Sequence, residues 1–131
     1  MKNYGIALLV GLSLLLVSVT SVAHHSVSAE FDTSKRITFT GTVKKVDWMN
    51  PHIYVHVDVK EGDGTVTTYK VEGGAPNSLF RSGVRPDSLK PGTVVTCTNC
   101  SRSKSAASMN VNGRLTLADG SAALAPTARN D

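Results

Sequence analysis

Ile53, Val55, Val57 and Val59 alternate with His52, Tyr54, His56 and Asp58, a strict period of two that a helix cannot hold on one face. A strand with this pattern turns its aliphatic side chains to a core and its polar ones to the other face. Both His residues therefore point away from the core. Glu61-Gly62-Asp63-Gly64 comes next, and its glycines supply the positive φ angles of a tight turn, so Thr65 to Glu72 returns as the second arm of a hairpin.

The stretch before this strand, Asp47-Trp48-Met49-Asn50-Pro51-His52, contains the only Trp of the chain. Pro51 fixes its own φ and drives Asn50 out of the helical region, so the stretch reads as a corner between two strands. Trp48 is either a core plug with a hydrogen-bonded indole N–H or a platform facing a ligand. Trp48, Asn50, His52 and Tyr54 are the candidate ligand-binding residues.

The strand that enters the corner runs from about Ile37 to Trp48, with Ile37, Phe39, Gly41 and Val43 on one face. Val46 and Trp48 have the opposite parity, which calls for a bulge near Lys44-Lys45. Gly41 lets this strand bend. Gly73-Gly74 ends the third strand, and residues 75–83 read as one short helix, capped near Asn77, stopped by Gly83, with Leu79 and Phe80 plugging an end of the sheet. Pro91-Gly92 turns into a fourth strand, Thr93 to Thr96, that ends near Cys97. A polar segment from Ser101 to Asn112 leads to a fifth strand near Arg114 to Leu117. The predicted core is Ile53, Val55, Val57 and Val59 with Phe39, Val43, Leu79, Val94 and Leu117.

Three strands, a short helix and two more strands, with a glycine bending a long first strand, predict a mainly β fold: a small five-stranded OB-like Greek-key barrel over residues 37–120. The β1–β2 corner and the Cys97 to Asn112 segment would flank its ligand face. Residues 24–36 read as an extended arm anchored by Val27 and Phe31. Residues 121–131, rich in Ala, Ser, Pro and Thr, read as a disordered tail.

Lys2 followed by an apolar run from Ile6 to about Val17 is too short for a spanning helix of ~20 residues and has the form of a secretory signal. Cleavage fits after Ala23, in Ser21-Val22-Ala23, or after Ala29. With residues 1–23 removed, 13 Lys and Arg stand against 10 Asp and Glu, scattered along the chain. A weak, dispersed charge on an exported domain argues against a nucleic-acid partner. Cys97 and Cys100 are the only cysteines, so no cysteine lies near the cleavage junction to carry a lipid anchor.

Ala23-His24-His25-Ser26, Phe31-Asp32, Thr40-Gly41-Thr42-Val43, Trp48-Met49-Asn50-Pro51-His52, Pro91-Gly92-Thr93-Val94-Val95 and Leu117-Ala118-Asp119-Gly120 resemble a family of small exported bacterial domains of unknown function. The resemblance spans nearly all of the mature chain and implies export to a periplasm, with no established activity. Cys97-Thr98-Asn99-Cys100 departs from the family pattern.

If the mature chain starts at His24, its free amine and imidazole form a bidentate chelate suited to Cu, Zn or Ni. One residue at a chain end is similar to the histidine brace of copper carriers and copper oxygenases. His25, His52 and the Met49 thioether complete the candidate metal set. His52 and His56 lie ~13 Å apart on an extended strand and cannot share one ion. In an oxidising compartment Cys97 and Cys100 form a disulfide, provided Thr98-Asn99 turns; thiolate metal binding and redox chemistry are the alternatives. No nucleophile elbow, phosphate loop or His-Glu-x-x-His helix is present in the sequence. The leading reading is a non-enzymatic exported domain, periplasmic or secreted, that binds a small ligand. The others are a periplasmic copper protein and an accessory subunit that pairs with an envelope protein through the Tyr54 and His56 face.

Overall fold

The structure, a computed structural model, describes residues 27–105 and 110–124. It is mainly β: five strands, β1 (Phe31–Asp47), β2 (Tyr54–Lys60), β3 (Val66–Glu72), β4 (Val94–Ser103) and β5 (Asn110–Thr116), with two short helices, α1 (Val27–Glu30) and α2 (Pro76–Arg81). Each strand pairs with two neighbours in the cyclic order β1-β2-β3-β5-β4, so the sheet closes on itself. All pairings are antiparallel except β3 with β5.

The alternation in β2 appears as anticipated, with Val55, Val57 and Val59 buried and Tyr54, His56 and Asp58 half-buried on the other face. Ile53, just before the strand, is fully buried. The hairpin register runs from Lys60 opposite Val66 to Tyr54 opposite Glu72 without a break. The bulge falls where the parity changed, between Val43 and Lys45. Gly41 is required by close approach, since a Cβ there would lie 2.5 Å from the Asp58 carbonyl oxygen and 2.8 Å from Val57 Cγ1.

β1 is 17 residues long and begins at Phe31, so the expected arm is in part strand. Residues 31–42 pair with β4 and residues 42–47 with β2, which is how one strand serves both sides of the closed sheet. Phe31 is buried, as an anchor should be.

β4 corrects two expectations. It does not end at Cys97 but continues to Ser103, because the turn needed to join the cysteines is absorbed as a bulge: Asn99 takes φ 55° and the register against β5 shifts between Thr98 and Ser101. The two cysteines are bonded, their Cα atoms are 6.0 Å apart, and both are buried in the core. Gly113 faces them, and a Cβ at that position would collide with Cys100 Sγ. The strand's inward residue is also shifted by one place: Val95 is buried and Val94 is 51% exposed.

The end of the sheet is filled differently from the sequence reading. Helix α2 starts after Ala75 with Pro76 in its first turn and has no side-chain cap, so Asn77 is not the cap residue. Leu79 is half-buried and Phe80 is exposed; Val84 and Leu89 are buried instead, and Leu89 joins the core cluster. Gly83, at φ 85°, turns the chain back so that Val84 N–H donates to the Leu79 carbonyl at 2.9 Å. Inside the sheet the Phe39 and Tyr69 rings stack at 4.4 Å.

The composition from Ser121 onward predicts a disordered tail. Instead residues 121–124 return along β5: Ala122 bridges Thr116, Ala123 N–H donates to the Leu115 carbonyl, and Ala123 is buried. The apolar surface comes from Ala123 and Leu124, two residues whose short run the composition of the whole tail obscures. Residues 125–131, and residues 1–26 on which the expected signal falls, lie outside the described residues.

Val57, fully buried, tests the register. Val57→Asp places an unpaired charge in the core and should cost at least about 4 kcal/mol, a large share of the about 5–15 kcal/mol that holds a domain folded. Circular dichroism should show loss of the cooperative thermal transition; a melting temperature near that of the parent would contradict the assigned inward face.

Candidate functional site

The β1–β2 corner is pinned to the end of β3 by backbone. Ile53 N–H donates to the Gly74 carbonyl at 3.1 Å and Gly73 N–H to the Ile53 carbonyl at 2.9 Å. The Asn50-Pro51 peptide is cis. The strand pairings then lay Asp47, Tyr54, Glu72 and Asn112 side by side across β1, β2, β3 and β5. These residues share parity with the outward positions of β2, so the row runs along the outer surface of the sheet.

A groove of about 570 Å³ opens over this row. Its lining comes from the corner and β2 (Pro51, His52, Tyr54), from β3 and β5 (Glu72, Gly73, Asn112) and from the segment Ala29, Glu30 and Phe31. Short helix α1 thus borders the same groove as the corner.

Its polar groups are organised around Glu72, whose side chain is 10% exposed. His52 Nδ1 bonds to the Glu72 carboxylate. A carboxylate only accepts, so Nδ1 carries the proton, and in the neutral ring Nε2 keeps a lone pair with no partner among the described residues. His52 is the more open of the pair, with 42% of its side chain exposed. The Tyr54 ring has Lys70 Nζ 4.0 Å from its centroid. Burial, then the charges of Glu72 and Glu30, push the Tyr54 phenol above its ordinary value.

His56 is committed elsewhere. Its Nε2 is 2.8 Å from Asp47 Oδ2, and Asp47 also accepts from Lys45 Nζ at 2.9 and 3.0 Å. The Lys45 hydrogen bond, followed by that of His56, holds the Asp47 carboxyl below its ordinary value.

Of the residues singled out in the sequence, the structure brings His52 and Tyr54 to the groove, with Asn112 at the end of the polar segment. Asn50 and Met49 are exposed at the corner and do not line it. Trp48 turns toward α2, its ring tilted 44° to that of Phe80 at 5.2 Å, and its buried Nε1 has no hydrogen-bond partner among the described residues. Cys97 and Cys100 are inside the sheet, away from the groove lining. His24 and His25 lie outside the described residues, and among those residues no three His, Cys, Asp or Glu side chains gather as a metal site.

Glu72 and Glu30 are not singled out by the sequence, and Asn112 enters only as the end of the polar segment. Glu72 was recoverable, because counting outward from the Asp63-Gly64 turn sets it opposite Tyr54. Asn112 depends on a parallel pairing between distant segments, for which no local signal exists.

Over residues 12–112 the chain matches a family of unknown function, DUF6152, and it belongs to that family. No curated protein and no solved structure matches it.

The raised Tyr54 phenol sets a sign. A tyrosine held neutral by the fold ionises first in the unfolded chain, so its contribution to stability is intact below pH ~10 and is lost as pH rises through the folded value. Alkaline spectrophotometric titration should show a tyrosine ionising above the ordinary value, and Tyr54→Phe should remove that component. Its persistence in the variant would contradict the assignment.

Proposed function

We propose that this chain is a non-enzymatic exported binding domain of OB type whose small-molecule ligand lies in the groove between α1, the Pro51-His52 corner and Asn112. The observation that carries the reading is the convergence of His52, Tyr54, Glu72 and Asn112, from three strands and the corner, on one groove. The cyclic order β1-β2-β3-β5-β4, the parallel β3–β5 pair and the helix between β3 and β4 support the OB type. In such folds ligands lie on the face of strands two and three, between the loops joining strands one to two and four to five, which is where these residues fall; the argument from position is an analogy. The groove lining includes no Ser, Thr, Cys or Lys, which suits binding better than covalent chemistry. Export to a periplasm or beyond rests on Lys2, the apolar run and Ser21-Val22-Ala23.

Titration of the isotope-labelled exported protein with a fragment library of amines, carboxylates, sugars and aromatic heterocycles tests the site. Shifts should gather on the amides of His52, Tyr54, Gly73 and Asn112. A map that gathers elsewhere would contradict the reading.

A copper site is the second reading, and one observation favours it. Ala29 and Glu30 line the same groove as His52, and the five-residue step from His24 to Ala29 spans up to ~17 Å, enough for a terminal His24 to meet His52 Nε2. A carboxylate on the far nitrogen, as Glu72 is to His52, is the usual support of a metal-binding imidazole. Cu(II) should then raise the melting temperature of the processed protein, but not of protein with one residue added before His24 or of His52→Ala. No rise in the processed protein, or an equal rise in all three, would rule the site out.

A further inference from the structure

The groove adjoins a second pocket, of about 290 Å³, with which it shares Glu72, Gly73 and Asn112. This pocket lies at the seam where β3 leaves the sheet at Gly73-Gly74 while β5 continues from Gly113. Its walls include Val55, Val71 and Leu115 from the core and Leu124 of the returning chain, and Arg114, exposed, lines it as well. Gly73 borders both spaces, and Ile53 packs so close to it that a Cβ would lie 2.7 Å from Ile53 Cγ1 and 3.6 Å from Leu124 Cδ1. The two spaces thus border each other at a glycine, with Glu72 and Asn112 common to both.

The charge of the polar half has a sign. Its lining contains two carboxylates, Glu30 and Glu72, and no Lys or Arg. Lys70 and Lys104 are near but engaged, Lys70 over the Tyr54 ring and Lys104 Nζ on the Ser28 carbonyl at 2.5 Å. Both carboxylates line the groove with Tyr54, and their charges help push its phenol above the ordinary value. Glu72 is nine-tenths buried and accepts a hydrogen bond from His52 Nδ1. A buried carboxylate is stabilised most by a cation that also donates hydrogen bonds.

We propose that the groove and the seam pocket form one site for a small organic cation with a short apolar body, an alkyl- or arylalkylammonium. The ammonium donates to Glu72 with Glu30 alongside, and the apolar body passes Gly73 to lie against Val71, Leu115 and Leu124. The inference rests on the groove being the ligand site and adds the class of ligand. It gives the returning chain at residues 121–124 a role as the wall of a binding site.

Calorimetric titration of the exported full-length chain with n-alkylammonium ions from propyl to octyl, matched against n-alkylcarboxylates, tests it. Each methylene that enters the seam should tighten Kd up to about fourfold until the pocket is full. Carboxylates of equal length should bind at least about tenfold more weakly. Glu72→Gln should abolish the preference for ammonium; because Glu72 is buried, Glu30→Gln at the exposed wall serves as a second charge variant and should reduce it. Leu124→Trp, which fills the seam, should remove the dependence on chain length while propylammonium still binds. Equal or tighter binding of the carboxylates, no dependence on length, or no binding of either series would overturn the inference. In those cases the fragment map decides separately whether the groove binds another class of ligand.

Discussion

The parallel contact between β3 and β5 is the constraint on which the rest of the structure depends. It consists of Lys70, Val71 and Glu72 opposite Asn110, Val111 and Asn112, and it is the pairing that turns a five-stranded sheet into a closed one. Its brevity has consequences on both faces. On the outside it sets Asn112 beside Glu72 and completes the lining of the groove. On the inside β3 departs at Gly73 before β5 has ended, which leaves the seam that residues 122–124 cover. Parallel pairing joins segments far apart in the chain, so the loop entropy of closing it must be offset by the core that closure completes: Val71 and Val111 are paired there and both are buried.

Other devices hold the two partners in place. On β5, Gly113 lets the Cys97–Cys100 disulfide approach, and the bulge at Asn99 is braced by Arg36, whose Nη1 donates to the Asn99 carbonyl at 3.1 Å and to Ser101 Oγ at 2.7 Å. On β3, Arg102 Nη2 reaches across to the Tyr69 hydroxyl at 3.0 Å. The disulfide is therefore part of the packing that positions β5. The two histidines of β2 and its entry divide in the same way: Asp47, itself held by Lys45, occupies His56, whereas His52 is fixed through one nitrogen by Glu72 and presents the other. Fixing one ring nitrogen sets both the orientation of an imidazole and the proton state of the other nitrogen, which is what a binding residue needs.

Much of the fold was legible in the sequence because it is written in local patterns. The aliphatic alternation of β2, the Asp63-Gly64 turn and the parity change at Lys44-Lys45 are such patterns, and all three appear; Gly41 is needed for a reason that the sequence does not display, the close approach of Asp58 and Val57. Errors fell where a local reading had two solutions. Thr93-Val94-Val95-Thr96 offers two adjacent valines to one inward position, and only the pairing with β1 and β5 selects Val95. Leu79 and Phe80 look like a plug until Gly83 is seen to bring Val84 and Leu89 inward. The site was legible only in part: His52 and Tyr54 follow from the alternation, but Glu72, Glu30 and Asn112 meet them through pairings at long sequence separation. Trp48, the most conspicuous residue in composition, belongs to a different surface, where it packs on Phe80.

Closure through β3 and β5 is the claim that every statement about the groove and the seam depends on, and it can be observed directly. Nuclear Overhauser spectra of the labelled protein should connect backbone protons of Val71 with Val111 and of Glu72 with Asn112 in the pattern of parallel strands, with the amides of this segment protected from exchange. Spectra in which β5 contacts β4 alone, and the outer edge of β3 exchanges freely from Lys70 to Glu72, would show an open sheet and contradict the account.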